Sequence, residues 1–270
     1  MEMETTQRTI LEMKKENVRE MAQVIKTILF KEQGTIHAFD KGIKITVDDA
    51  ACQQANLFID ATFFSNFHVR EENIAVKWPI KHIFEFLNIP EGSSNSCKFS
   101  YNGMFAPLNL LIEDSEGYVM RGRLNSTMAE QELDFEFQDA TVLATFMLKT
   151  QVLKDVFKDF DETSRLVKIE FMKTQICFST DGEVGDITVS IPSKSLQMET
   201  VKCVEEVEFS YKLTLLQRMV IALGMAAKVV MRVDDRGVLC CHFTIDHGDN
   251  RQSYVEFLTV PDIDDNESDV

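Results

Sequence analysis

The sequence predicts an α+β chain built from two duplicated domains, each with two helices on one face of mainly antiparallel sheet. Three observations carry this. Four segments show apolar residues at helical spacing. The intervals between them alternate apolar and polar residues at period two, separated by short turn signals. The order of helix and strands then occurs twice along the chain, a duplication read from pattern and not from residue identity.

The first helix is expected over 16–30, with Val18, Met21, Ala22, Ile25, Ile28 and Leu29 as its buried stripe. A second is expected over 79–88, opened by Pro79, with Ile80, Ile83, Phe84 and Leu87 inward. The third is expected over 141–160, on a stripe running from Leu143 and Phe146 to Phe157 and Phe160. The fourth begins near Leu215, where Thr214 and Gln217 have capping-box spacing, and turns Leu216, Met219, Val220 and Leu223 inward. Strands are expected where Ile43, Ile45 and Val47 alternate with polar residues, and again at Val167–Phe171 and Ile187–Ile191. Asp40-Lys41-Gly42, Asn102-Gly103, Glu116-Gly117, Asp181-Gly182 and Asp235-Arg236-Gly237 read as turns.

This organisation divides the chain into an N-terminal domain over 1–123, a connector over 124–134, a C-terminal domain over 135–261 and a solvated, disordered acidic tail over 262–270. There is no run of about 18 apolar residues, so no membrane helix is expected. The first eight residues lack the apolar stretch of a secretory signal. Six cysteines occur without C-x-x-C spacing, which suits reduced packing residues and no zinc site. No P-loop, G-x-S-x-G or H-E-x-x-H is present, and the five histidines are scattered. No catalytic residue, metal or cofactor is expected. One D-x-E pair, Asp134 and Glu136, is compatible with a metal-dependent nuclease, but no second carboxylate pair accompanies it.

The formal charge is −16, from 28 basic and 44 acidic residues. Such a balance disfavours nucleic acid unless the basic residues are gathered. They are gathered on the helices: Lys14, Lys15, Arg19 and Lys26 in or just before the first, Lys77 and Lys81 at the second, Lys149, Lys154 and Lys158 on the third, and Arg218 on the fourth. Two modules with helices on one surface leave sheet edges open, and open edges invite pairing with a chain of the same fold. Head-to-tail pairing closes into a ring, and helices lining the hole would offer those cations to phosphates without reading bases. The plain alternative is that these lysines are only solvated.

Gly42–Glu72, GIKITVDDAACQQANLFIDATFFSNFHVREE, resembles the Rad-one family of checkpoint clamps, as do LDFEFQDATV from Leu133 and, farther on, YKLTLL from Tyr211, VDDRG from Val233 and YVEFLTVPD from Tyr254. The likeness is collinear over nearly the whole chain. It implies the DNA clamp fold and a non-catalytic subunit that joins two paralogous subunits in a heterotrimeric ring around double-stranded DNA. It also implies a checkpoint clamp loader, checkpoint-kinase activation, recruitment of repair enzymes, and a nuclear location. A 3′–5′ DNA exonuclease and a homotrimeric replicative clamp remain the alternatives. Clamps of this fold bind partner peptides between the connector and the C-terminal stretch, which by position implies Leu124, Met128, Leu133, Val260, Pro261 and Ile263. A peptide with basic residues would suit the acidic connector, although a plain solvated linker is equally expected. The fourth helix departs from the family pattern: one arginine stands where clamp helices carry more lysine, and Ile221 and Met225 are expected to pack against a neighbour instead.

Overall fold

A computed structural model describes residues 9–71, 74–88, 95–129, 137, 141–183 and 185–262. The chain forms two compact units. The first gathers Met1–Val47, Asn56–Glu132 and Asp246–Ser253; the second gathers Asp48–Ala55, Leu133–Ile245 and Tyr254–Val270.

The first half runs β1 (Leu11–Lys15), α1 (Val18–Lys26), β2 (Gly34–Phe39), β3 (Gly42–Asp49), β4 (Gln53–Asp60), β5 (Asn66–Val69), β6 (Ile74–Trp78), α2 (Ile80–Leu87), β7 (Asn95–Tyr101), β8 (Leu108–Asp114), β9 (Val119–Leu124) and β10 (Thr127–Met128). The second runs β11 (Val142–Lys149), α3 (Thr150–Asp159), β12 (Leu166–Phe171), β13 (Gln175–Gly182), β14 (Gly185–Pro192), β15 (Met198–Cys203), β16 (Val207–Lys212), α4 (Leu213–Gln217), α5 (Val220–Met225), β17 (Lys228–Asp234), β18 (Leu239–Asp246) and β19 (Gln252–Thr259).

The duplication recurs in the strand pairing. In the first half β1 lies between β5 and β7, and β2 lies between β6 and β3. In the second, β11 lies between β15 and β17, and β12 lies between β16 and β13. All of these pairings are antiparallel. The first half adds β10 outside β6. Among the strands that end their sheets are β9, beyond β8, and β14, beyond β13.

Each unit closes its own core between helices and sheet. In the first, α1 packs against α2 and supplies Met21 and Ile25, buried with Trp78, Ile83 and Phe99. In the second, α3 packs against α5, and Leu153, Leu223, Phe178 and Phe243 are buried. Asn17 caps α1 by accepting the Glu20 backbone N–H at 3.2 Å, satisfying one of the orphan donors of the first turn.

Four expectations are corrected. The first helix is shorter than 16–30, so Lys14 and Lys15 lie in β1. The segment 141–160 is half strand. Ala144, Phe146 and Leu148 are buried at period two in β11 before α3 begins at Thr150, because this stretch satisfies both periodicities and β11 finds partners on both sides. The fourth helix is broken between Gln217 and Val220, and its N-cap is Lys212 with no side-chain bond, so Thr214 and Gln217 form no capping box. Val220 is exposed, not inward. Residues 130–136, including Leu133, Asp134 and Glu136, and Ile263 in the tail lie outside the described residues.

Candidate nucleic-acid interface

The helix spacing decides which cations reach solvent. On α1, Arg19, Gln23 and Lys26 are exposed at i, i+4 and i+7 and form one stripe opposite the buried Val18, Met21, Ala22 and Ile25. On α2, Lys81 is exposed and its Nζ lies 2.6 Å from Glu32 Oε1, an ion pair that raises the lysine pKa. Lys77 is half-buried in β6. Lys14 projects from β1 and pairs with Glu16 at 2.9 Å.

The second unit offers less. Lys149 is exposed at the N-cap of α3. Lys158 is exposed, but Asp155 lies 3.8 Å away and accepts from Gln151 at 3.0 Å on the same face. Lys154 is half-buried. The outer face of α4 and α5 carries Gln217, Val220, Ile221 and Gly224 and no cation. Ile221 is exposed, whereas Met225 is half-buried.

Two residues leave the set of outward cations. Lys15 is only 3% exposed. Its Nζ donates to the Phe63 carbonyl at 2.8 Å, lies 2.6 Å from Glu20 Oε2 and sits 3.5 Å from the Phe63 ring centroid. Burial lowers its pKa, against the opposing pull of Glu20. Arg218 is turned inward. Its Nη2 donates to Asp49 Oδ2 at 2.7 Å and its Nη1 to Gln53 Oε1 at 3.3 Å. Gln53 Nε2 in turn donates to the Leu215 carbonyl at 3.0 Å and to Thr259 Oγ1 at 2.9 Å. The arginine therefore holds the β3–β4 tip within the second unit.

The described positions expected for a partner peptide each belong to their own unit. Leu124 ends β9 opposite Leu108, and Met128 is exposed on β10; both belong to the first unit. Val260 packs on the buried cluster of Phe137, Val238, Cys240 and Leu258 in the second, and its N–H donates to the Cys52 carbonyl at 3.0 Å. Pro261 is half-buried in the same unit. Among the described residues no group of three or more His, Cys, Asp and Glu could hold a metal ion. The thiols of Cys97 and Cys240 are buried and pushed up to about 12 by desolvation, so they are packing groups and not nucleophiles. No described helix is long and apolar enough to cross a membrane.

Residues 10–245 match the family model described as repair protein Rad1/Rec1/Rad17. The chain belongs to the Rad1 family. Among Rad1 relatives, it is 61% identical over 261 residues to the Caenorhabditis elegans cell cycle checkpoint protein RAD1 homolog mrt-2, covering 97% of this chain and 98% of that protein. It is 32% identical over 254 residues to human cell cycle checkpoint protein RAD1, covering 92% and 90%. A DNA polymerase sliding clamp of Pyrococcus horikoshii is 23% identical over 80% of this chain and 86% of that protein. Together with the twofold strand order, these make the Rad1 chain a sliding-clamp relative with the α+β clamp fold, of the DNA-damage checkpoint type. The inward Arg218 and buried Lys15 are the site features that spacing missed, since both depend on partners far along the chain.

Proposed function

We propose that this chain is a non-catalytic subunit of a heterotrimeric checkpoint clamp that encircles DNA in the nucleus, supports checkpoint-kinase activation and recruits repair enzymes. The carrying observation is the repeated strand order with an open edge at β9 and another at β14. The exposed side chains of β9 include Arg121 and Arg123, whereas the one charged residue of β14 is the exposed Asp186. Edges of opposite character favour head-to-tail joining of related chains over pairing of like with like. Arg19, Lys26, Lys77, Lys81, Lys149, Lys154 and Lys158, with Lys14, are the cations proposed to meet phosphates. Their contact with the backbone would be independent of base sequence, as sliding requires. A clamp loader that opens the ring is a further proposed partner.

Purification with and without two paralogous clamp subunits, followed by light scattering, tests the reading. The expected result is a one-to-one-to-one complex on co-expression and no closed ring from this chain alone. A stable homotrimer of the isolated chain would overturn it in favour of a replicative-type clamp.

A further inference from the structure

The first unit contains a groove of about 300 Å³ that shares only Met128 with the peptide positions the clamp resemblance implies. Its floor is mostly apolar: Ile10 just before β1, Ile74 and Val76 on β6, and Tyr101 at the end of β7. Its walls are apolar side chains left in solvent. Met104 is 72% exposed, Phe105 77% and Met128 67%. Phe105 holds φ at +64°, a conformation rare for an aromatic residue, next to Gly103 at φ +118°. The loop is fastened there: Ala106 N–H donates to the Gly103 carbonyl at 2.9 Å, and Ser126 Oγ donates to the Ala106 carbonyl at 2.9 Å. An exposed ring held in a strained backbone by a built turn is a feature that packing of the unit itself does not require.

Two further properties define what fits. Glu71 is the one charged side chain among the described residues that line the groove, and it is exposed. Beside the groove, β10 is the outermost strand. It pairs with β6 through Thr127 and Lys77 and through Met128 and Val76, so its outer backbone groups have no strand partner among the described residues. We propose that this groove binds an extended segment of a partner protein that adds to the β10 edge, seats one large apolar side chain between Met104, Phe105 and Met128, and places a lysine or arginine on Glu71. Main-chain bonds along β10 would supply affinity, and the groove and the carboxylate would select the side chains. The site lies wholly within the first unit, so it does not depend on ring closure.

The test uses the full chain and three fluorescein-labelled ten-residue peptides of alternating threonine and valine. One carries a central phenylalanine flanked by lysines, one the same phenylalanine flanked by glutamates, and one serine in place of the phenylalanine. Fluorescence anisotropy should show the lysine peptide binding about tenfold more tightly than either other peptide. Phe105→Gly, which relieves the backbone while removing the ring, should erase that binding with no loss of thermal stability. Glu71→Lys should exchange the preference of the lysine and glutamate peptides. N-methylating alternate amides of the lysine peptide should abolish binding. Equal affinity for the lysine and glutamate peptides, retention of binding by Phe105→Gly, or tolerance of N-methylation would overturn the proposal. So would self-association of the chain that Phe105→Gly abolishes, because the occupant would then be a second copy.

Discussion

His247 Nδ1 lies 3.0 Å from Glu20 Oε1, so the turn after β18 is tied to the first turn of α1. The other carboxylate oxygen of Glu20 holds Lys15 at 2.6 Å. One acidic side chain thus answers two buried bases. Glu20→Ala would leave the Lys15 ammonium without its counter-charge. Because an unpaired buried charge costs far more than a paired one gains, the expected loss is about 3 kcal/mol. Lys15→Met, which removes the charge and keeps the stem, should cost less than Glu20→Ala. Urea unfolding of the two variants measures the difference, and the opposite ranking would contradict the assigned pairing.

The pairing also explains where sequence reading succeeded and failed. Leu11, Met13 and Lys15 are buried at period two along β1, yet Lys15 also falls four residues before Arg19 on a helical wheel. Which pattern governs Lys15 depends on Phe63 and Glu20, and Phe63 is 48 residues away. The stretch 142–149 presents the same ambiguity, resolved by the neighbours β15 and β17. By contrast, the α1 stripe and the β3, β12 and β14 alternations were legible, because each follows from a single local period. The groove beside Phe105 was not legible: it joins residues from 10 to 129, and no short-range signal links them.

Stability should fall in mild acid through His247. Burial lowers its pKa from 6.5, outweighing the nearby Glu20 carboxylate, so the folded protein holds the ring neutral. In that state Nδ1–H donates to Glu20 and Nε2 accepts from Ser253, 2.9 Å away. A histidine with a depressed folded pKa contributes stability that is fully present above 6.5 and is lost as pH falls through the folded value. Melting temperatures between about pH 7.5 and 5 should decline, and His247→Gln should flatten that decline. An unchanged slope would remove His247 as its source.

The tip of the β3–β4 hairpin is strained. Ala50 and Ala51 have φ of +44° and +61°, and Cys52 N–H donates to the Asp49 carbonyl at 2.8 Å. Two consecutive left-handed residues are the habit of glycine and asparagine, not alanine. Ala51→Gly should therefore stabilise the protein by about 1 kcal/mol, read from the midpoint of chemical unfolding. Destabilisation would mean that the alanine methyl has a packing role.

Arg19, Lys26 and Lys81 should separate from Arg218 in a salt titration of the assembled ring on duplex DNA. Replacing each of the first three by Ala should lower the slope of log K against log salt by about 0.9 per lost phosphate contact, equally for all sequences. Arg218→Ala should leave the slope unchanged. It should instead cost about 1–3 kcal/mol of stability, because Asp49 and Gln53 lose their donor. A reduced slope in Arg218→Ala would return that arginine to the DNA surface.

Asp48–Ala55 completes the second unit, and Asp246–Ser253 completes the first. Scissors applied at the midpoint of the polypeptide would therefore not release two self-sufficient pieces. The trailing piece would keep Arg218 but forfeit Asp49, and the leading piece would keep Glu20 but forfeit His247. Reciprocal borrowing of this kind makes each unit depend on a stretch of chain from the opposite half.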